Sequence, residues 1–281
     1  MLETALTIPL DPLLKNLDLL PKRIGVYIFL NDEKPIYIGK SINIRNRILS
    51  HFNSTKTQIK EAKIIQQADT ISCIYCAGEQ SALLLEAELV KKYLPIYNRK
   101  LRRQKKLLTG VICKGKPYWS LELIPYHHSH AKMKQYGFFK NQAQFNQYVE
   151  KLCDKYQLCR KICGIEKARY GCFQQQIKKC LGGCVGLEDP TSHNRRLQKA
   201  LNRSEIQKWP FKGPITITEV DAKYQFTQSH LVNNWIYYGR WDQDNTGALQ
   251  NDIDFDVDQY HIIRKVIHQN KLPIKTLQIK A

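Results

Sequence analysis

The sequence has few acidic residues for its number of basic ones. It holds 25 Asp and Glu against 44 Lys and Arg in 281 residues, a formal net charge of +19. Such a surplus is typical of proteins that bind a polyanion, most simply a nucleic acid. Residues 99–106 carry six basic side chains in eight positions, whereas residues 219–258 are rich in Asp. A merely solvated basic face remains an alternative, but this clustering favours a phosphate-binding surface.

The sequence also lacks a membrane span and an export signal. No run of about 18 apolar residues is present, the length that a transmembrane helix needs. The first twenty residues contain Glu3, Asp11, Lys15 and Asp18, where a secretory signal would be apolar. We therefore expect a cytoplasmic protein with no membrane partner. The length predicts roughly two domains, and no internal repeat is present.

Paired CxxC knuckles are absent, although six of the nine cysteines lie between Cys153 and Cys184. Without an export signal, such a cluster favours metal or cluster ligation over a disulfide framework. Four thiolates suit an iron–sulfur cluster or zinc, and free buried thiols are the third alternative. The spacing supplies Cys172, Cys180 and Cys184, with Cys159, or less well Cys163, as the fourth ligand.

Hydrophobic periodicity and turn residues predict an α+β chain. We predict a lead-in over 1–19, followed by an α/β domain over 20–105 that has a small mixed three-stranded sheet flanked by helices. A Cys-rich region with a hairpin and helices is predicted over 106–206, and an α+β region over 207–281. In the second of these, strands are expected at 25–30, 35–39 and 71–76, with helices capped by Ser41 and Ser81. Later elements are expected at 109–124 (hairpin), 145–156 (helix), 192–206 (helix), 215–220 and 231–238 (strands) and 259–268 (helix). The aromatics of 207–281 are either a partner-docking surface or, more simply, core: Trp235, Tyr237, Tyr238 and Trp241.

Glu86 occupies the apolar face of the second predicted helix. Its neighbours at helical spacing are Ala82, Leu83, Leu89 and Val90, and side chains at these spacings share a face. A carboxylate on such a face must be paired, protonated or bound to a metal. Both a structural ion pair and a metal site are therefore open.

Several polar side chains are predicted to lie beside one another in the same domain. Tyr27 and Tyr37 are on neighbouring strands, and Arg47 and His51 are i,i+4 neighbours on the first helix, in line with Lys40. With a carboxylate that holds a divalent cation, these groups suit phosphodiester hydrolysis. A cation stabilises the developing negative charge, and a Tyr or His deprotonates water.

The order of these residues resembles the GIY-YIG nuclease family. The chain has Gly25-Val-Tyr27, nine intervening residues, Tyr37-Ile-Gly39-Lys40, and then Arg47, Glu86 and Asn98. The run from Ala82 to Asn98 is particularly similar to the UvrC/Cho excinuclease branch of that family. Together these matches cover about residues 20–105, and the cysteine segment extends the resemblance.

The resemblance implies roles for individual residues. Glu86 would hold one Mg²⁺ or Mn²⁺, and Lys40 is the motif lysine. Tyr27, Tyr37, Arg47 and Asn98 fall on active-site positions. His51 stands where the UvrC proteins usually have Tyr, which leaves Tyr37, Tyr27 or His51 as the general base. The residues expected to contact DNA are Lys40, Arg45, Arg99, Lys100, Arg102, Arg103, Lys105 and Lys106.

The resemblance also implies a cofactor and partners. A 4Fe–4S cluster would be held by Cys159, Cys172, Cys180 and Cys184. The protein would be a monomeric endonuclease of nucleotide excision repair that nicks damaged double-stranded DNA on the 3′ side of a lesion marked by UvrA and UvrB. Two alternatives remain: a DNA-binding accessory module that keeps the fold without catalysis, and a GIY-YIG nuclease with another DNA-processing task.

Overall fold

The structure is a computed structural model that describes residues 5–15, 17–98, 107–114, 116–128, 133–242 and 253–277. The chain forms two compact units: residues 104–208 make one, and residues 1–103 with 209–281 make the other. Helices and strands are both abundant, so the predicted α+β class is confirmed. Within the described ranges, no helix has the length and apolarity needed to cross a membrane.

The N-terminal sheet has four strands: β1 (Leu6–Pro9), β2 (Gly25–Asn31), β3 (Lys34–Ser41) and β4 (Thr70–Tyr75). Their order is β1-β4-β2-β3, and every pairing is antiparallel. The prediction of three strands in a mixed sheet was therefore wrong in strand number and direction. The lead-in supplies the extra strand, because Leu6 to Pro9 pair with Cys73 to Thr70 and the hydroxyls of Thr7 and Ser72 meet at 2.9 Å.

Helices cover both faces of this sheet: α1 (Leu10–Lys15), α2 (Ile44–Ser54), α3 (Ile59–Gln67) and α4 (Glu79–Tyr93). Period-two alternation sends Tyr27 and Phe29 into the core beneath α2 and α3, and Val26 and Ile28 into the core beneath α4.

Both predicted helix caps were wrong. The N-cap of α2 is Asn43, whose Oδ1 accepts from the Asn46 backbone N–H at 3.1 Å. Ser41 instead belongs to β3. Helix α4 begins at Glu79 after the N-cap Gly78, so Ser81 lies inside the first turn, where it is fully buried.

The second unit contains a three-stranded sheet and a Cys-rich segment. Its elements are β5 (Leu108–Cys113), β6 (Ser120–Pro125), β7 (Gln135–Phe139), α5 (Gln142–Tyr156), the short α6 (Phe173–Gln176) and α7 (Pro190–Leu201). The strand order is β6-β5-β7, which confirms the predicted hairpin. Asp189 caps α7, and the helix ends at Leu201 instead of residue 206 because a 3₁₀ turn follows.

Residues after 208 return to the first unit as a second sheet. It contains β8 (Ile215–Asp221), β9 (Phe226–Asn233), β10 (Ile236–Asp242) and β11 (Ile274–Thr276), in the order β10-β9-β8-β11, with α8 (Val257–Gln269). The single strand predicted over 231–238 is two strands, joined by a turn in which Asn234 and Trp235 both have positive φ. Trp235 and Tyr237 are buried, in agreement with the prediction that these aromatic residues belong to the core.

Candidate active site

The β2–β3 hairpin places Tyr27 directly across from Gly39. A Cβ on Gly39 would lie 2.4 Å from the Tyr27 hydroxyl oxygen, so the phenol ring crosses the strand where glycine leaves room. Tyr37 lies two positions before Gly39 on β3, with its ring centroid 6.1 Å from that of Tyr27. The two motif tyrosines therefore lie side by side, as their alternation predicted.

Helix α2 adds His51 and Arg47 to the same pair of tyrosines. The Tyr27 hydroxyl lies 2.7 Å from His51 Nε2 and accepts a hydrogen bond from Arg47 Nε at 3.3 Å. His51 and Tyr27 are only 2% and 1% exposed. Arg47 is itself exposed, but its Nε reaches the Tyr27 hydroxyl, so the i,i+4 pair predicted from the sequence contacts one phenol.

Glu61 completes this network, although no sequence pattern predicted it. Its Oε2 contacts His51 Nδ1, from the first turn of α3. A carboxylate there favours a proton on Nδ1, which leaves Nε2 to accept the Tyr27 proton. In the sequence Glu61 is one acid in a polar helix ten residues from His51, so no local signal marked it.

Burial controls ionisation throughout this cluster. Burial lowers the pKa of His51 by more than the neighbouring Glu61 carboxylate raises it. The imidazole is therefore neutral at neutral pH. Burial also raises the pKa of Tyr27 and of Tyr37, above all that of Tyr27. Both phenols therefore keep their protons, and the neutral imidazole is the strongest proton acceptor among the three candidates for the general base.

Glu86 is half-buried, and its Oε1 accepts a hydrogen bond from the backbone N–H of Lys40 at 3.3 Å. Burial raises the pKa of this carboxyl, while Lys40 and Arg47 pull it down. No salt bridge to Glu86 is present among the described residues, so the ion-pair alternative lacks a partner there. A half-buried carboxylate whose ionised form is disfavoured by burial fits a hard divalent cation, which would offset that cost.

Lys40 and Arg45 are each paired with a carboxylate. Lys40 Nζ lies 2.5 Å from Glu79 Oε1, and Arg45 Nη2 lies 2.6 Å from Asp18 Oδ1. Both pairs are solvent-accessible, and such pairs are weak enough to exchange for phosphate. The other predicted DNA contacts lie outside the described residues: Arg99, Lys100, Arg102, Arg103, Lys105 and Lys106.

Asn98 clamps the backbone of β3 between the two motif positions. Its Nδ2 donates to the Ile38 carbonyl at 2.7 Å, and its Oδ1 accepts from the Ile38 N–H at 2.9 Å. The side-chain amide thus bonds both backbone groups of one residue. This geometry makes Asn98 a positioning residue for Tyr37 and Gly39.

The four predicted cysteine ligands come together in the second unit. Cys172 Sγ lies 3.6 Å from Cys159 Sγ and 3.7 Å from Cys180 Sγ, and the Cys172 backbone N–H donates to Cys184 Sγ at 3.3 Å. The thiols of Cys159, Cys172 and Cys184 lie within 4.8 Å of one another. Cys163 packs in the neighbouring core, outside this group.

These thiols fit a thiolate-held metal centre. Burial raises the pKa of Cys172, but hydrogen bonds from the Gln175 N–H and from the other three thiols outweigh it and lower the pKa overall. The separations of 3.6 and 3.7 Å are close to the edge of a tetrahedron with Zn–S bonds, about 3.8 Å for bonds of about 2.3 Å. Sulfur number and burial suit an iron–sulfur cluster as well.

Known proteins match this chain along nearly all of its length. Residues 23–99 match a family model described as the UvrC-like GIY-YIG domain, and residues 113–203 match the UvrC/Cho excinuclease middle domain. Residues 214–281 match the excinuclease Cho C-terminal domain. The excinuclease Cho of Salmonella typhi is 36% identical over 272 residues, which cover 94% of this chain and 89% of the relative.

The chain belongs to the excinuclease Cho family. The Cho protein of Escherichia coli K12 is also similar, at 34% identity over 92% of this chain and 87% of its own length. The UvrABC system protein C of Fervidobacterium nodosum is 30% identical over 67% of this chain but only 32% of its own length. As a member of the Cho family, the chain is a metal-dependent endonuclease of nucleotide excision repair.

A solved structure is similar to part of the chain. The GIY-YIG N-terminal endonuclease domain of UvrC from Thermotoga maritima, bound to magnesium, is 41% identical and covers 31% of this chain and 97% of its own, with a TM-score of 0.29.

Proposed function

We propose that this Cho-family protein nicks damaged duplex DNA on the 3′ side of a lesion that UvrA and UvrB have already marked. The observation that carries the proposal is the chain of contacts from Glu61 through His51 and Tyr27 to Arg47, beside the carboxylate of Glu86. A module that only bound DNA would have no use for a buried proton acceptor bonded to a motif tyrosine. The surplus of basic residues supplies the affinity for the duplex.

Glu86 would hold Mg²⁺ or Mn²⁺, which supplies Lewis-acid stabilisation of the scissile phosphate and of the leaving oxygen. Arg47 stabilises the negative charge that develops on the phosphoryl oxygens. We assign His51 as the general base, acting through Tyr27. The attacking water transfers a proton to the Tyr27 oxygen as the phenol proton moves to His51 Nε2, and the imidazolium is stabilised by Glu61. A P–O bond to the water oxygen forms, the P–O bond to the leaving oxygen breaks, and solvent protonates the leaving group.

The decisive experiment maps the nick on a lesion-bearing duplex incubated with the protein, Mg²⁺, UvrA and UvrB. We expect one cut, on the 3′ side of the lesion, that depends on all four components. Cutting of undamaged DNA without UvrB would instead show a GIY-YIG nuclease with another task. Binding to the same duplex without any nick would show a non-catalytic accessory module.

Glu86→Ala separates cutting from binding. We expect the variant to lose nicking by at least about 100-fold, because it removes the metal ligand, yet to bind DNA as wild type does. Gel-based nicking and fluorescence anisotropy measure the two properties. Glu33→Ala, in the exposed β2–β3 turn, is the matched control. A Glu86→Ala protein that cut at the wild-type rate would refute the mechanism.

For the cysteine site we propose a 4Fe–4S cluster held by Cys159, Cys172, Cys180 and Cys184. The support is the number of thiols and their burial in one group. Zinc is the second candidate, favoured by the sulfur separations. Anaerobic purification followed by iron, acid-labile sulfide and zinc analysis distinguishes the two, and a protein with none of these elements would hold free thiols.

The remaining proposals concern the setting in which the protein acts. We propose that it works in the cytoplasm as a monomer that is recruited by UvrB. Size-exclusion chromatography with light scattering, with and without UvrB, tests both the oligomeric state and the partner. The segment 99–106 is proposed as the main phosphate-binding segment, in keeping with its charge.

A further inference from the structure

Helix α4, which carries Glu86, has no cap of its own. Its N-cap residue is Gly78, which has no side chain to accept a hydrogen bond from the helix. The first turn of any helix leaves backbone N–H groups without intrahelical partners, and a nearby Ser, Thr, Asp or Asn usually binds them. Here the acceptors come from a distant part of the sequence.

Glu219, on β8, supplies the missing cap. Its Oε1 accepts from the Gln80 backbone N–H at 3.2 Å, and its Oε2 accepts from the Ser81 backbone N–H at 2.6 Å. The Ser81 hydroxyl donates to the same Oε2 at 2.6 Å. A buried carboxylate at a helix N-terminus also interacts favourably with the helix dipole. These hydrogen bonds join residues that are 138 and 139 positions apart, so they depend on the folding of the C-terminal region against α4.

A chain of hydrogen bonds orients this cap from behind. The proton of the Ser81 hydroxyl goes to Glu219, so Ser81 Oγ accepts from His230 Nε2–H at 2.7 Å. His230 Nδ1 then carries no proton and accepts from the Tyr237 hydroxyl at 3.1 Å. Burial lowers the pKa of His230 to about 3, so the imidazole is neutral and this donor order is fixed. Each donor in the chain has one acceptor, which orients the carboxylate toward the helix.

Gly78 shows that the fit is close. A Cβ on this residue would lie 2.3 Å from Glu219 Oε1, and the three nearest atoms all belong to the Glu219 carboxylate. Its φ of −166° is ordinary extended backbone, so the glycine is not needed for conformation. It is needed because the carboxylate approaches the helix at that point.

The C-terminal region holds the same helix further along as well. Arg240 Nη1 lies 3.9 Å from Glu88 Oε2, and Lys91 Nζ forms a salt bridge with Asp256 Oδ2. Glu88 is half-buried beside Arg240. Glu86 therefore lies between two points at which residues after 208 contact the helix.

We propose that the C-terminal region is a positioning device for the metal site, and that Glu219 is its principal positioning residue. By capping α4, Glu219 fixes the axial position of the helix relative to β3, where Glu86 Oε1 meets the Lys40 N–H. Groups that hydrogen-bond a metal ligand typically contribute about 10- to 100-fold to metal affinity. Glu219 would act on Glu86 indirectly, through the position of helix α4. The inference rests on the proposed role of Glu86 as metal ligand but not on the lesion, the side of the cut or UvrB.

A double-mutant cycle read by Mn²⁺ binding tests this role. Gly78→Ala, Glu219→Ala and the double variant are titrated with Mn²⁺ by electron paramagnetic resonance, and nicking is followed as a function of Mg²⁺. We expect each single variant to weaken Mn²⁺ binding by about 10-fold with unchanged affinity for DNA. The double variant should be no worse than Glu219→Ala alone, because the added methyl group then has no carboxylate to displace.

Asp221→Ala is the matched control. This residue lies two positions along β8, and among the described contacts its carboxylate bonds only to the Lys223 and Tyr224 N–H groups of its own turn. Its Mn²⁺ affinity should equal that of wild type, whereas Glu86→Ala gives the baseline with the metal ligand removed.

If Glu219→Ala does not fold, Glu219→Gln and Gly78→Ala carry the test. Folded variants with wild-type Mn²⁺ affinity, whatever their melting temperature, would overturn the proposal. Absence of nicking by the wild type with normal Mn²⁺ binding would count against the proposed function alone.

Discussion

His51 gains its meaning only from its neighbours. In the sequence it is a single histidine on an amphipathic helix, and such residues are more often structural. In the structure its two ring nitrogens contact different partners, Tyr27 on one side and Glu61 on the other. Because Nδ1 donates to Glu61 and Nε2 accepts from Tyr27, the imidazole has a single tautomer. It therefore takes up a proton at Nε2, on the side of Tyr27.

Replacing Glu61 with Gln tests whether this carboxylate supports proton uptake by His51. The variant keeps the shape of the side chain but removes the charge that stabilises the imidazolium. We expect kcat for nicking to fall by about 10- to 100-fold while KM for DNA stays the same. Glu33→Gln, a carboxamide change on an exposed turn, should leave kcat unchanged. Equal activity of Glu61→Gln and wild type in single-turnover assays would remove Glu61 from the proton path.

The pH dependence of nicking tests His51 itself. Burial lowers the pKa of His51 below its usual 6.5, so its neutral form persists to lower pH than in the unfolded chain. The nicking rate should therefore hold to below pH 6.5 and fall as the pH drops through the pKa of the folded protein. The free energy of unfolding should also fall on this side, because below pH 6.5 the unfolded chain takes up the proton first.

Glu86 also loses charge on the acid side, so the wild-type profile alone does not isolate His51. The His51→Gln variant should nick slowly and should lose the part of the acid limb that belongs to the imidazole. Rates measured from about pH 5 to pH 8 at saturating Mg²⁺ compare the two proteins. Superimposable profiles after scaling would contradict the assignment of His51 as the general base.

Among the helices and strands, the β2–β3 hairpin is the most tightly determined part of the site. Glycine at position 39 lets the Tyr27 ring cross the strand, and Asn98 clamps the strand at Ile38. A buried backbone group without a partner costs roughly 1–3 kcal/mol, so loss of the Asn98 amide should loosen this edge. The Tyr27 phenol is thus positioned by its steric fit against Gly39, and strand β3 is positioned by the hydrogen bonds of Asn98.

Gly39→Ala is the prediction that belongs to this hairpin. The added Cβ would lie 2.4 Å from the Tyr27 oxygen and 2.5 Å from its Cζ, in a tightly packed core. We expect nicking to fall by at least about 100-fold, together with a loss of about 1–3 kcal/mol in stability from overpacking. Gly213→Ala is the control, because its Cβ would meet nothing closer than 3.7 Å. Normal nicking by folded Gly39→Ala would show that the Tyr27 position is not critical.

Across the full chain, the basic and acidic residues are concentrated in different segments. Basic side chains are densest at 99–106, just after the last motif residue, Asn98. The region after 208 is comparatively acidic, and its acids Glu219 and Asp256 contact helix α4. These two carboxylates therefore act inside the protein and not against DNA.

Neutralising the basic segment should weaken DNA binding without regard to sequence. With all six basic residues of 99–106 changed to Gln, we expect the slope of log K against log salt to become shallower. The change should be about 0.9 for each phosphate that the protein no longer neutralises. Anisotropy titrations at salt concentrations from about 50 to about 200 mM measure this slope.

The control for this experiment removes the same amount of charge elsewhere. It changes six exposed lysines to Gln: Lys34, Lys208, Lys212, Lys223, Lys271 and Lys275. This variant should keep a slope closer to that of wild type, because only charges that lie against phosphates release counterions. A wild-type slope in the 99–106 variant would exclude that segment as the phosphate-binding segment.

Local and periodic patterns were enough to find the nuclease motifs, the paired tyrosines and the cysteine group. Tyr27 and Tyr37 follow strand alternation, and Arg47 and His51 follow the helical repeat. The same kind of reasoning failed at the caps of α2 and α4. Ser41 and Ser81 are good cap residues by composition, but packing decides which polar residue reaches a free N–H.

Folding in three dimensions was needed to join Glu61 to His51 and Glu219 to the helix of Glu86. The first is a contact between two helices, and the second joins strands and helices far apart in the chain. A buried carboxylate is stable only where donors surround it, and those donors are assembled by the packing of whole elements. No spacing along the chain encodes that geometry, so the motifs name the reacting groups while the fold supplies the groups that orient them.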